Sequence, residues 1–306
     1  MSDQRNRLLL PFSLLVAILA VSTASIFIRF AQREAPSLVI AALRLTIASL
    51  VLMPVALTRY RGELRALTRS DLLFGLLSGV FLAIHFATWI SSLEYTSIAS
   101  SVVLVSTGPL WVALLSPIFL KEPLTRPVLF GMTLALLGGL MIGLSDSCQL
   151  DGGLTCPPFS KFVQGKAFLG NILALAGAWA VAGYLMIGRR LRAAMALIPY
   201  IFVVYGSAAI CLLVAMILAG QSPGGYSQLI YVWIFLLALV PQLIGHTTYN
   251  WALRYLPAAL VSITTLAEPV GSAILAFVIL QEAPTRLIVF GGVLILAGIY
   301  LASRTG

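Results

Sequence analysis

Charge is what this sequence has least of. Aspartate, glutamate, lysine and arginine together make up 9% of its 306 residues, against about 25% in an ordinary soluble domain, and the mean hydropathy is +1.03. No water-soluble surface can be assembled from so few charges, which excludes a soluble globular protein of any function. Length then says nothing about a number of water-excluding cores, and one integral membrane unit is the simpler reading. Acidic residues are the scarcer sign, 10 against 19 basic ones, so the net charge is +9. The basic residues are scattered between apolar stretches with no aromatic-interleaved patch, so nucleic acid is not an expected partner. Cysteine is nearly absent, and Cys148, Cys156 and Cys211 are too few for a disulfide framework. With two histidines on different apolar stretches and no HExxH, GxSxG or Walker-type loop, neither a metal, a cofactor nor intramembrane catalysis is expected. A channel or receptor lacks its marks too: no repeated filter-like loop and no extramembrane domain.

What the chain does have is long apolar runs. A hydrocarbon span needs about 20 apolar residues, and candidates lie at 8–28, 36–57, 72–93, 97–119, 127–145, 168–188, 197–219, 229–252, 257–280 and 286–303. The breaks carry turn chemistry, as at Glu34-Ala35-Pro36, Lys121-Glu122-Pro123, Ser222-Pro223-Gly224-Gly225 and Leu256-Pro257. Residues 1–25 resemble a signal peptide, with Arg5 and Arg7 before an apolar run and Ser22 to Ser25 after it. The apolar character continues through Phe30, however, and the first run reads as a retained span. With the N-terminus inside, the inner segments hold Arg5, Arg7, Arg59, Arg61, Arg65, Arg69, Lys121, Arg126, Arg189, Arg190, Arg192, Arg254 and Arg304; the outer ones hold Arg29, Arg33, Lys161, Lys166 and Arg286. Thirteen against five is the positive-inside bias, with both termini cytoplasmic. The loop carrying Cys148 and Cys156 is then outside, where a disulfide between them is chemically allowed.

Sliding the chain against itself by 160 residues pairs Thr88 with Thr248, Tyr95 with Tyr255, Pro109 with Pro269, Glu122 with Glu282, Gly131 with Gly291 and Gly138 with Gly298. Shared hydrophobicity does not generate matches at polar residues, glycine and proline. The expected fold is therefore an all-α polytopic membrane protein of ten transmembrane helices in two five-helix repeats: residues 1–150, an external loop 151–167, and residues 168–306. Five crossings per half make the repeat inverted, the arrangement that lets two halves exchange inward-open and outward-open states around a midplane site.

Three stretches resemble a known family: Ala41-Ala42-Leu43-Arg44-Leu45-Thr46 in the second span, Pro109 through Glu122 across the fourth, and Glu268-Pro269 through Glu282 in the ninth. The chain resembles the drug/metabolite transporter superfamily over essentially its whole length, specifically the ten-helix branch of bacterial metabolite and amino-acid exporters, and among these the aromatic amino-acid exporters. The resemblance implies a multi-pass protein of the bacterial inner membrane that exports amino acids and related small metabolites by alternating access. The alternative is the same fold with another cargo: a drug, a base or a nucleotide sugar. The first span departs from the family pattern in lacking a tryptophan, although Trp179 stands in the equivalent sixth span. The expected partners are a small-molecule substrate and membrane lipid, with the chain a monomer.

Ionisable groups inside lipid cost several kcal/mol unless they face a cavity or a partner, which singles out Arg44, His85, His246 and Glu268. Glu268, before Pro269, is placed to bind a substrate ammonium or carry a proton; the alternative is a protonated carboxyl satisfied by a neighbouring helix. His85 and Trp89, four apart on one face, and His246, Tyr249 and Asn250 in the eighth span are candidates for an aromatic chamber that stacks on planar solutes or holds an ammonium. Trp111 and the pair Trp179 and Gly183 are further pathway candidates. Arg44 is too deep to snorkel and reads as a structural charge paired with a carbonyl or carboxylate. Gly75/Gly79, Gly139/Gly143 and Ala174/Ala178/Ala182 are small-xxx-small patterns of helix packing, and Glu122 and Thr285 are positioning groups at helix junctions.

Overall fold

The computed structural model describes residues 2–96, 101, 104–144, 149–150, 154–156, 158, 165–280 and 284–303. Helices dominate: α1 (Ser2–Ser22), α2 (Ala24–Ala31), α3 (Ser37–Arg59), α4 (Arg61–Arg65), α5 (Arg69–Tyr95), α6 (Gly108–Phe119), α7 (Arg126–Leu144), α8 (Gly165–Arg192), α9 (Leu197–Leu218), α10 (Gln228–Leu237), a π-helical stretch Ala238–His246, α11 (Thr247–Ala252), α12 (Ala258–Thr265), α13 (Glu268–Leu280) and α14 (Arg286–Ser303). Eight stretches among the described residues are long and apolar enough to cross a membrane, and Gly108–Phe119 and Arg126–Ile142 are shorter apolar helices. The chain is thus a multi-pass membrane protein. Large apolar side chains such as Phe130, Leu137, Phe290 and Val293 lie more than half exposed, as a lipid-facing surface requires. The strands among the described residues form a two-rung antiparallel ladder, Gln149 with Thr155 and Leu150 with Leu154. Cys156, beside it, is disulfide-bonded, Cys211 is a free thiol, and Cys148 lies outside the described residues.

Several spans are interrupted where side chains compete with the helix for backbone groups. In the first, Ser22 Oγ donates to Ile18 O and Thr23 Oγ1 to Ala20 O, both at 2.7 Å. Such back-bonding weakens the main-chain ladder and separates α1 from α2. In the ninth, α12 ends at Thr265 and α13 starts at Glu268, with Leu266 and Ala267 turning between them. The fourth does the same at Ser106 and Thr107, ahead of Gly108. The two breaks are 160 residues apart, each just before a proline, Pro109 or Pro269, that has no N–H to donate. The candidate spans 97–119 and 257–280 run through both points.

The chain divides into two compact units, residues 1–87 with 183–257 and residues 88–182 with 258–306, each drawing on both halves of the sequence. In the first, α3 packs along α9 around Ile40, Leu45, Tyr200, Ile201 and Tyr205, all wholly buried. A Cβ added to Gly79 would lie 2.5 Å from the Val204 carbonyl oxygen, so α5 meets α9 with backbone close to backbone. In the second unit α7 packs along α14. There Gly131 faces Gly298 and Gly138 faces Gly291, backbone against backbone. Gly139, expected to pack, has open space at its Cβ position; the glycines that allow close approach are its neighbours seven residues apart.

Candidate functional site

The first unit holds a cluster of largely buried polar side chains. Arg44, on α3, is inaccessible to solvent; its Nε donates to Gln242 Oε1 at 3.0 Å, and its guanidinium carbon lies 4.2 Å from the Phe86 ring centroid. One partner of Arg44 is thus a side-chain amide. Phe86 then touches both histidines, adjacent His85 at 5.0 Å and His246 edge-on at 5.4 Å between ring centroids, and His246 stands 6.5 Å from Tyr249. The fold brings His85, His246 and Tyr249 together through a phenylalanine that the sequence reading does not single out. Phe86 keeps the guanidinium beside a π-face, which attracts a cation most strongly when water is excluded.

Asn250 joins this cluster from α11. Its Nδ2 faces the Tyr184 hydroxyl at 2.5 Å, the Tyr205 hydroxyl at 3.4 Å and the His246 carbonyl at 2.8 Å. Tyr205 also exchanges a hydrogen bond with Thr247 Oγ1 at 3.2 Å, and Ser78 Oγ with the Tyr200 hydroxyl at 3.1 Å. Arg192 Nε closes the network on the Asn250 carbonyl at 3.0 Å. Sequence reasoning misses Gln242, Tyr184, Tyr205 and Arg192 in this role. Gln242 does leave a signal, an amide directly after Pro241 inside an apolar run. Tyrosines in spans leave none, because only the fold decides whether their hydroxyls meet. Gly183, a pathway candidate, is buried against Phe81, whose ring an added Cβ would approach to 2.9 Å.

The remaining candidates belong to the second unit. Trp111 and Trp179 form an edge-to-face pair, centroids 5.3 Å apart at 81°, and Trp111 Nε1 donates to Thr107 Oγ1 at 3.3 Å. Trp179 is 58% exposed. Gly108 packs against α8, the helix that carries Trp179: an added Cβ would meet Val181 Cγ1 at 3.0 Å. Trp89 is half-buried and its carbonyl accepts from Ser92 Oγ, which exchanges a hydrogen bond with Ser101 Oγ at 2.6 Å. Glu268, half-buried, is the first residue of α13, just past the break in the ninth span. Glu122 Oε2 accepts from the Ala258 N–H at 3.1 Å and so caps α12, while Thr285 Oγ1 caps α14 at Ile288 N. Glu282 lies outside the described residues.

The profile of the EamA-like transporter family matches residues 9–144 and again 168–304. An uncharacterized transporter, YetK of Bacillus subtilis, is 27% identical over 303 residues, covering 94% of this chain and 85% of the relative. The pseudopaline exporter CntI of Pseudomonas aeruginosa is 26% identical over 301 residues, covering 97% and 98%. One solved crystal structure shares the fold, with a TM-score of 0.76 and 21% identity over 96% of each chain.

Proposed function

This chain belongs to the EamA-like transporter family, a membrane transporter and not an enzyme, and from that premise we propose that it exports amino acids, aromatic ones included, and related small metabolites by alternating access. The observation that carries this reading is the placement of Glu268. A carboxyl stands at the start of a half-helix inside the ninth span, at the position where the other half of the chain has Gly108 at its own break. Interrupted spans expose main-chain polar groups near the midplane, which transporters use to hold solute. A carboxyl in one half only suits an asymmetric solute with an ammonium at one end. The pair Trp111 and Trp179 offers aromatic faces for a ring at the other. The name of one relative, an exporter, supports export as the direction.

The same reading has ten spans in two inverted repeats, residues 1–150 and 168–306 about the external loop 151–167, with both termini on the cytoplasmic side of a bacterial inner membrane. The twice-matching family profile supports it, as does the α7–α14 contact. Gly131 meets Gly298 and Gly138 meets Gly291, so each glycine faces the repeat mate of the other, as a two-fold axis demands. His85, Trp89, His246, Tyr249 and Asn250 stay pathway candidates, with Glu268 as proton carrier. In liposomes carrying the purified protein, labelled phenylalanine and threonine should enter saturably, faster under an imposed proton gradient, while a labelled nucleotide sugar should not. Glu268→Gln should keep the flux and lose the gradient dependence. No amino-acid flux through folded protein would move the reading to another cargo.

A further inference from the structure

The eighth span is held firmly at both ends and irregular between them. At one end both carboxylate oxygens of Glu34 accept from Ser227, one from N–H and one from Oγ, at 2.9 Å each, which caps α10. At the other, Arg189 Nη1 donates to the carbonyls of Leu253 and Arg254 at 2.8 and 3.2 Å, while Arg192 takes those of Asn250 and Met195. Between the clamps, Ala238–His246 winds as a π-helix. Pro241 gives the local reason: in an α-turn its ring presses on the carbonyl four residues back, at Leu237, and it has no N–H to bond there. The wider π-turn relieves the clash. Nine consecutive π residues are nevertheless unusual, since π geometry normally survives as a single turn and often marks a functional site. The segment therefore needs tertiary support.

That support comes from α3. Gln242, wholly buried within the π stretch, is bonded by Arg44 Nε, and Phe86 fixes the guanidinium plane from one side. Both partners are inaccessible to solvent, so a solute in an aqueous pathway does not reach the guanidinium in this conformation.

We infer that Arg44 is a positioning residue of transport: through Gln242 it holds residues 238–246 in the wide-turn form, and the eighth span flexes there while its clamped ends move as rigid pieces. The residue acts on the path of the conformational change and does not touch the solute. The inference rests on transport by this fold and is independent of the cargo.

Hydrogen–deuterium exchange of the full chain in lipid nanodiscs, read peptide by peptide, tests it. A charge-assisted hydrogen bond is strong enough that losing it should speed opening of the segment by about tenfold. Gln242→Leu and Arg44→Lys should each accelerate exchange over 238–246 to that extent, leave Arg286–Ser303 of the other unit unchanged, and when combined accelerate it by less than the product of the separate effects, because the Arg44–Gln242 bond is lost in both. Unchanged exchange in a Gln242→Leu protein of wild-type thermal midpoint overturns the inference. Phenylalanine uptake supplies the second readout: the maximal rate should fall at constant KM. A raised KM at constant maximal rate would make Arg44 a solute ligand and overturn it as well. If the wild type carries no phenylalanine, the amino-acid reading fails while the exchange result still decides this one.

Discussion

At the scale of single residues, two kinds of aromatic group separate. Tyr184, Tyr200 and Tyr205 are wholly buried with hydroxyls committed to partners on α5 and α11, so they hold the first unit together. Trp179 is 58% exposed and offers a ring edge-on to Trp111, the disposition of a surface that still has contacts to make. If that surface stacks on the ring of a transported solute, Trp179→Ala removes about 0.5–1.5 kcal/mol of aromatic contact. The KM for phenylalanine should then rise about two- to tenfold while that for threonine stays put, measured side by side in liposomes. Equal effects on both solutes would assign Trp179 to packing. Residues of this scale are legible in sequence where they break an expectation: Arg44, His85, His246 and Glu268 stand out as ionisable groups in apolar spans. Phe86 and the tyrosines do not, because they are ordinary in a membrane helix and acquire meaning only from their neighbours.

At the scale of elements, the interruptions matter as much as the helices. The α7–α14 contact depends on four glycines that let two backbones touch. Lipid supplies no hydrophobic drive to hold helices together, so close van der Waals packing does it. Gly138→Leu would place a side chain against the Gly291 carbonyl and should cost about 1–3 kcal/mol as an overpacked interface. Gly139→Leu, with open space around it, should cost nothing measurable. Thermal unfolding of the two variants in one detergent checks the pair, and equal losses would contradict the contact. Element ends follow closely from composition, as 197–219 against Leu197–Leu218 and 286–303 against Arg286–Ser303 show. The break before Glu268 and the π stretch at Pro241 do not. Hydrophobicity counts apolar residues per window and is blind to which main-chain bonds a proline or threonine removes.

At the scale of the whole molecule, membrane residence follows from the scarcity of charge, and transport from the family. The 160-residue internal match is legible in the sequence, because proline, glycine and glutamate repeat in register. The two compact units are not: each gathers segments from both halves, and a linear reading that halves the chain cannot anticipate how the halves exchange helices. Efflux from living cells tests whether the protein moves amino acids outward. Bacteria deprived of their own aromatic exporters, carrying this protein or an empty vector, would be loaded with a labelled phenylalanine dipeptide and the medium sampled over time. Cells with the protein should release labelled phenylalanine faster and retain less. Identical release with the protein folded and present in the membrane would contradict amino-acid export.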